Sequence, residues 1–154
     1  MNVGDKVKKG DIIGHIHSYY DGDKDYPHLH WGVWLDKKIA DGKLGYDESF
    51  RLFVDPDSYM NYACPEWSKP TQRYNTNRYR QFAYPLTSKL FHLGDDIYTE
   101  LNDPVYACLD GEIVQIRNDA IGFGGYPDKK GGLIWIKHKN RWGKEFLILY
   151  GHIK

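Results

Sequence analysis

Short apolar runs separated by Gly, Asn and Asp recur along the whole chain. DIIGHIH (11–17), HLHWGVWL (28–35), GDDIYTE (94–100), GEIVQIR (111–117), GLIWIKH (132–138) and EFLILYG (145–151) each read as a strand. Runs of ~5–8 residues rich in Ile, Val, Tyr and Trp, bounded by turn formers, suit strands rather than helices. No long stretch keeps a 3.6-residue period. One short helix is expected at DPDSYMNYA (55–63), where Asp55 or Asp57 can cap the first turn. The pattern predicts an all-β single domain of antiparallel sheets with glycine-rich turns.

Two segments break the pattern. Residues 36–50, DKKIADGKLGYDESF, read as a hairpin or an inserted loop. Residues 65–91 are polar, basic and Tyr-rich, with three prolines and no period. They read as a long connection over the surface.

Composition narrows the classes. A chain of 154 residues suits one domain and buries a core without disulfide staples. Lys plus Arg and Asp plus Glu number 21 each, so the general electrostatic case for nucleic acid or an acidic membrane is absent. Cys64 and Cys108 are too few for a disulfide framework and form one bridge or none. No apolar run nears ~18 residues, so no membrane span is expected. The opening MNVGDKVKKG has no apolar core of a secretion signal, and localisation is not read from it directly.

Candidate chemistry gathers in three places. His28 and His30, in YPHLHWGV, are two apart in a predicted strand and so face the same side. His92 and Asp96, in FHLGDDIY, are four apart across Gly94. The residues after them favour a turn entering a strand, which brings an imidazole and a carboxylate to one point. His152 ends a strand in FLILYGHIK. Each piece alone has a plain structural reading: surface histidines, a carboxylate shaping a turn, a solvated strand end. Together they supply what a zinc catalytic site needs: three ligands from His and Asp, and further groups to handle protons.

HLGDD and PHLHW resemble the H-x-x-x-D and H-x-H signatures of lysostaphin-type, or LytM-type, zinc endopeptidases. DPVYACLDGEIVQI is similar to that family's GTPVYAAADGTV-like segment. WIKH followed by LYGHIK resembles its two strands ending in Y-x-H, and VGDKVKKGDIIG its glycine turn before H-x-H. VDPDSYM resembles its closing V-D-P text. The match leaves out 36–50 and 65–91.

The resemblance implies a fold of the duplicated-hybrid-motif kind. It also implies a zinc ion held by His30, His92 and Asp96, with His28 and His152 as the catalytic histidines. The expected activity is hydrolysis of peptide bonds in peptidoglycan, in an extracellular, periplasmic or cell-wall setting. A non-catalytic wall-binding or amidase-activating module on the same fold is the alternative, although such modules usually lack one or more ligands.

The order of the halves is reversed. The family places H-x-x-x-D first and H-x-H last. Here residues 1–64 carry H-x-H, residues 65–91 connect, and residues 92–154 carry H-x-x-x-D and Y-x-H. Joining the end to the start restores the family text, so the chain reads as a circular permutant, either monomeric or a domain-swapped dimer.

Other features carry less. His15 and His17 form a second H-x-H at positions that the resemblance does not make ligands. His138 reads as structural or at the edge of a cleft. DGDKD (21–25) lacks the Gly and Glu of a calcium loop. GFGGYPDKKGG (122–132) opens no helix, is no phosphate loop, and reads as a flexible hairpin at the cleft. The opening turn also resembles biotinyl, lipoyl and phosphotransfer domains, but no modifiable Lys stands at a hairpin tip.

Overall fold

The computed structural model describes residues 1–74 and 78–154, with side chains except those of residues 78 and 79. In chain order its elements are β1 (Lys6–Val7), β2 (Ile12–His15), β3 (Tyr20–Asp21), β4 (Lys24–Asp25), β5 (His28–Trp34), β6 (Tyr46–Asp47) and β7 (Phe53–Val54). Then follow α1 (Pro56–Ala63), β8 (Arg78–Arg80), β9 (Phe91–His92), β10 (Asp95–Tyr98), β11 (Pro104–Tyr106), β12 (Gly111–Tyr126), β13 (Lys129–Lys139) and β14 (Glu145–Gly151). The all-β expectation holds. The short helix forms where expected, with the Asp55 carboxylate accepting from the Ser58 amide and Pro56 opening the first turn.

One large sheet runs in the order β4-β3-β12-β13-β14-β5-β10-β8, with β1 on β12 and β7 on β5. Among the described residues only the β3–β12 pairing is parallel. The two halves of the sequence interleave. β5 from residues 1–64 lies between β14 and β10 from residues 92–154, and β2 pairs with β11. Neither half holds a core of its own, so the chain is one domain. Its ends flank one strand: Lys154 exchanges backbone hydrogen bonds with His15 (3.0 and 2.9 Å), and Met1 lines a shallow cavity with Ile12.

The central strands bury both faces, and their period-two alternation sorts residues between two clusters. Leu29, Trp31, Val33, Ile134, Ile136, Ile148 and Tyr150 form one face. Helix α1 covers it through Met60 and Ala63. Trp34, Leu133, Trp135, Leu147 and Leu149 form the other face, with Leu93 and Phe123. His28 and His30 alternate with Leu29 and Trp31, so they share the second face with Trp34. The site therefore grows from the edge of that second cluster.

Residues 65–91 correct the surface-connection expectation. Thr71 and Tyr74 are buried. Trp67 stacks on Trp31 with centroids 5.4 Å apart and planes 16° apart. β8 then adds an edge strand to β10. These few aromatic anchors are scattered among prolines and polar residues, so no period betrays them. Residues 36–50 likewise end in β6, which pairs with β9 and sets Tyr46 opposite His92. The glycine-rich text at 122–132 belongs mostly to the β12–β13 ladder, with register shifts, rather than to a loose loop. No helix is long and apolar enough to cross a membrane.

Candidate metal centre

Strand register assembles the centre. Across β5 and β10, Asp96 stands opposite His30 and Tyr98 opposite His28. Across β5 and β14, Gly151 stands opposite His30. β9 ends at His92, and the chain turns through Leu93 and Gly94 into β10. A Cβ on Gly94 would lie 2.6 Å from the Trp31 carbonyl oxygen, so only glycine lets this turn sit against β5. Asp95 accepts a hydrogen bond from the Phe82 amide at 2.9 Å and ties the turn to the 65–91 segment. Its neighbour Asp96 faces the histidines.

The three predicted ligands converge. His30 Nδ1 lies 3.1 Å from His92 Nε2 and 3.0 Å from Asp96 Oδ1, and His92 Nε2 lies 3.1 Å from that same oxygen. A tetrahedral ion with bonds of ~2.0–2.1 Å separates its ligand atoms by ~3.3 Å, so this triangle is close to one tetrahedral face. His92 Nδ1 donates to the Gln81 carbonyl at 3.2 Å, which leaves its Nε2 lone pair pointing inward. Two imidazole nitrogens and a carboxylate oxygen then meet in a buried space, where a cation would replace the hydrogen bonds they share. These three are the group of His, Cys, Asp and Glu side chains among the described residues whose ligand atoms can share one ion. His30 departs from the usual outer-shell support: its Nε2 has no polar partner. Packing beside Phe123 and against the Gly151 backbone holds its ring.

Electrostatics agree with a cation site. Burial pushes the His30 imidazole below its ordinary value, despite the pull of Asp96 in the other direction. Burial alone would raise the Asp96 carboxyl. The imidazoles of His92 and His28, with hydrogen bonds from His30 and His92, outweigh it and hold the carboxyl well below its usual range. The directions for His30 and Asp96, a lowered imidazole and a lowered carboxyl, are those that favour metal binding.

His28 and His152 stand beside this triangle. His28 Nδ1 donates to the Tyr26 carbonyl and His152 Nδ1 to the Phe123 carbonyl, each at 2.7 Å. Both Nε2 atoms are thereby turned away from these carbonyls. The two rings are 4.3 Å apart, and His28 Nε2 is 3.8 Å from Asp96 Oδ1. His152 adopts a left-handed backbone (φ 64°), a sparsely populated conformation that turns its ring in from the strand end. Gly151 before it must be small, because a Cβ there would run into the Phe123 ring. Burial first, then the neighbouring His28, holds the His152 imidazole well below its ordinary value. Residual exposure marks the open side: His28 and His152 keep 6% each and Asp96 5%, against 2% for His30 and 1% for His92. What exposure the centre keeps is thus greatest on the side of His28, His152 and Asp96.

Three further residues reach the centre without any sequence signal. Tyr46 packs on His92 with centroids 4.9 Å apart, and Arg80 donates to its hydroxyl at 2.7 Å. Burial and then the Asp96 charge push the Tyr46 phenol up to about 12, with Arg80 pulling the other way. Tyr19 lies edge-on to both His28 and His152. Tyr46 and Arg80 come from the two segments outside the family-like text, where only the pairing of β6 and β8 reveals their position.

The remaining histidines stay apart. His15 and His17 are exposed. The His17 amide nonetheless donates to the His152 carbonyl at 2.8 Å, so the segment after β2 supports the site through its backbone. His138 is buried against Phe146, far along β13, with Nδ1 on the Asp110 carbonyl. It borders a separate cavity with Val7, Leu109 and Asp110, as the edge-of-cleft reading allowed, and that cavity is not lined by the triangle. Cys64 and Cys108 are both free and buried.

No protein-family model matches the chain, and searches of curated proteins and of solved structures returned no match. The functional reading rests on the site itself.

Proposed function

We propose that the chain is a zinc metallopeptidase of the lysostaphin type that hydrolyses peptide bonds in bacterial cell-wall peptides. One observation carries this reading: a buried His-His-Asp triangle whose open side faces two bare imidazole nitrogens. A zinc ion bound by His30, His92 and Asp96 supplies Lewis-acid polarisation of a carbonyl and acidifies a water. Borderline-soft zinc suits two imidazoles and one carboxylate better than hard cations, which prefer all-oxygen sets.

The other residues handle protons and position. His28 and His152 each hold Nδ1–H on a carbonyl and present Nε2 to the open side. One takes up the proton that hydrolysis releases, and the other delivers a proton to the leaving amine. Two such groups at one metal fit peptide hydrolysis, which needs both transfers, better than simple metal storage. Phe123 and Tyr19 wall the pair and keep bulk water from its flanks.

The reversed halves fit a circular permutation of that family. Both chain ends flank β2, which is where the family-like text would join. Within one chain all five residues reach one centre, and a domain-swapped dimer would build the same centre from two chains. The substrate implies a location outside the cytoplasm, at the cell wall or in the periplasm.

Elemental analysis of the purified protein, paired with amine release from peptidoglycan, tests the proposal. One zinc per chain and new amino groups are expected. A chain that binds no metal, or binds zinc yet cleaves no wall peptide, would overturn it.

A further inference from the structure

Residues 17–26, between the opening glycine turn and the H-x-H strand, build something specific. β3 and β4 form a small hairpin, with Tyr20 opposite Asp25 and Asp21 opposite Lys24. Gly22 takes the left-handed turn conformation (φ +63°). β3 docks parallel on β12 at Gly125 and Tyr126. Gly125 permits this docking, since a Cβ there would collide with the Tyr20 backbone. The Lys129 ammonium sits 4.7 Å above the Tyr20 ring and covers the joint.

The hairpin fixes the residue just before it. The Tyr19 amide donates to the Asp25 carboxylate at 3.0 Å, and the Tyr19 carbonyl accepts from the Tyr26 amide at 2.7 Å. These bonds tie the Tyr19 backbone beside the site, and its ring is half-buried. It stands edge-on to His28 (centroids 4.8 Å, 74°) and to His152 (4.7 Å, 74°). The ring thus wedges the two proton-handling imidazoles from the open side. Its hydroxyl makes no hydrogen bond among the described residues and is not sealed from solvent. Tyr46 on the opposite flank differs, because Arg80 already engages its hydroxyl.

We infer that Tyr19 is a substrate-contacting residue: its hydroxyl binds the backbone of the extended peptide beside the scissile bond, while its ring positions His28 and His152. The inference rests on the peptidase reading above. A phenol can donate to a peptide carbonyl or accept from a peptide N–H. It meets the substrate main chain and so adds affinity without demanding a particular side chain. The two parts of the residue make separable contributions. The hydroxyl acts on binding, and the ring acts on turnover by holding the imidazoles in place.

Steady-state hydrolysis of a peptidoglycan-derived peptide by wild type, Tyr19→Phe and Tyr19→Ala separates them, with metal content and Tm measured for each. Tyr19→Phe is expected to raise KM about 3- to 10-fold, the effect of one hydrogen bond, with kcat close to wild type. Tyr19→Ala is expected to lower kcat on the order of 10- to 100-fold as the imidazoles lose their wedge, with zinc retained. Tyr19→Phe is near-isosteric and folds even if the alanine variant does not. Wild-type turnover with both kinetic constants unchanged in Tyr19→Phe would overturn the inference and leave the peptidase reading standing. Absence of turnover by the wild-type chain would overturn both.

Discussion

His138 and His152 lie near opposite ends of the paired strands β13 and β14, and in isolation they look alike. Each is buried, and each holds Nδ1 on a backbone carbonyl, that of Asp110 or of Phe123. Burial depresses both imidazoles. Their surroundings differ. His138 has an apolar neighbour in Phe146, and its Nε2 meets no partner. His152 faces His28 at 4.3 Å and lies beside a triangle of converging ligand atoms. Burial and a perturbed imidazole therefore do not mark function here. Convergence of several such groups on one open point does.

Removing the convergence gives the largest effect. His30→Ala, His92→Ala and Asp96→Ala should each lose the metal and most activity. Outer-shell changes alone cost ~10–100-fold in metal affinity or activity, so loss of a direct ligand should exceed ~100-fold. Full metal occupancy in any of the three would break the comparison.

Next come the groups beside the triangle. His28→Ala and His152→Ala should keep zinc and lose ~10²–10⁴-fold in turnover, the usual contribution of positioned acid–base groups. Metal analysis with kinetics on the same preparations checks this. Metal loss in either variant would mean that ligand and proton carrier have been exchanged.

How much of this centre was legible in the sequence follows from what each part depends on. His28 and His30 facing one side is local, because strand alternation fixes it from spacing alone. The His92–Asp96 turn was legible through Gly94, whose smallness the Trp31 carbonyl demands. That these pieces share a centre was not a spacing argument. It came from likeness to a family, and the register of β5 between β10 and β14 provides its geometry. Tyr46 and Arg80 were illegible because they depend on pairings of two- and three-residue strands far apart in sequence, β6 with β9 and β8 with β10. Such short strands carry no period. The same limit made 65–91 look like surface chain, although Trp67 and Tyr74 pack on Trp31.

His138 sharpens the comparison from the other side. In the unfolded chain an imidazole titrates near ~6.5. In the fold, burial pushes His138 down to about 4. Above pH ~6.5 both states hold the ring neutral and the fold keeps its full stability. As pH falls from ~6.5 to ~4 the unfolded chain binds a proton that the fold refuses, so stability is lost across that window, by about 3 kcal/mol for this ring. His138→Asn keeps a donor near the Nδ1 position for the Asp110 carbonyl and removes the titration. It should leave zinc content and neutral-pH turnover unchanged, while the loss of unfolding free energy between pH ~7 and ~5 becomes smaller. Urea denaturation at the two pH values measures this. An undiminished loss would show that His138 is not the ring responsible.

The smallest effect belongs to the cysteines, which extend the same contrast to a second residue type. Cys64 and Cys108 share the first core cluster and are both free. Burial pushes the Cys64 thiol up to about 11 and the Cys108 thiol up to about 12. A protonated, buried thiol is neither a nucleophile nor a metal ligand and packs as a small hydrophobe. The Cys108 amide donates to the Tyr150 hydroxyl at 3.1 Å, and the same hydroxyl bonds the thiol, which burial nonetheless keeps protonated. Reducing agent should therefore leave Tm unchanged, whereas a native bridge contributes typically ~2–4 kcal/mol and its loss would lower Tm by several degrees. Cys108→Ala should cost about 1 kcal/mol for the lost packing and leave zinc content and turnover at wild-type values. A drop in turnover without a drop in Tm would be the informative failure. It would place a reactive sulfur in the mechanism, despite its burial and its distance from the metal triangle.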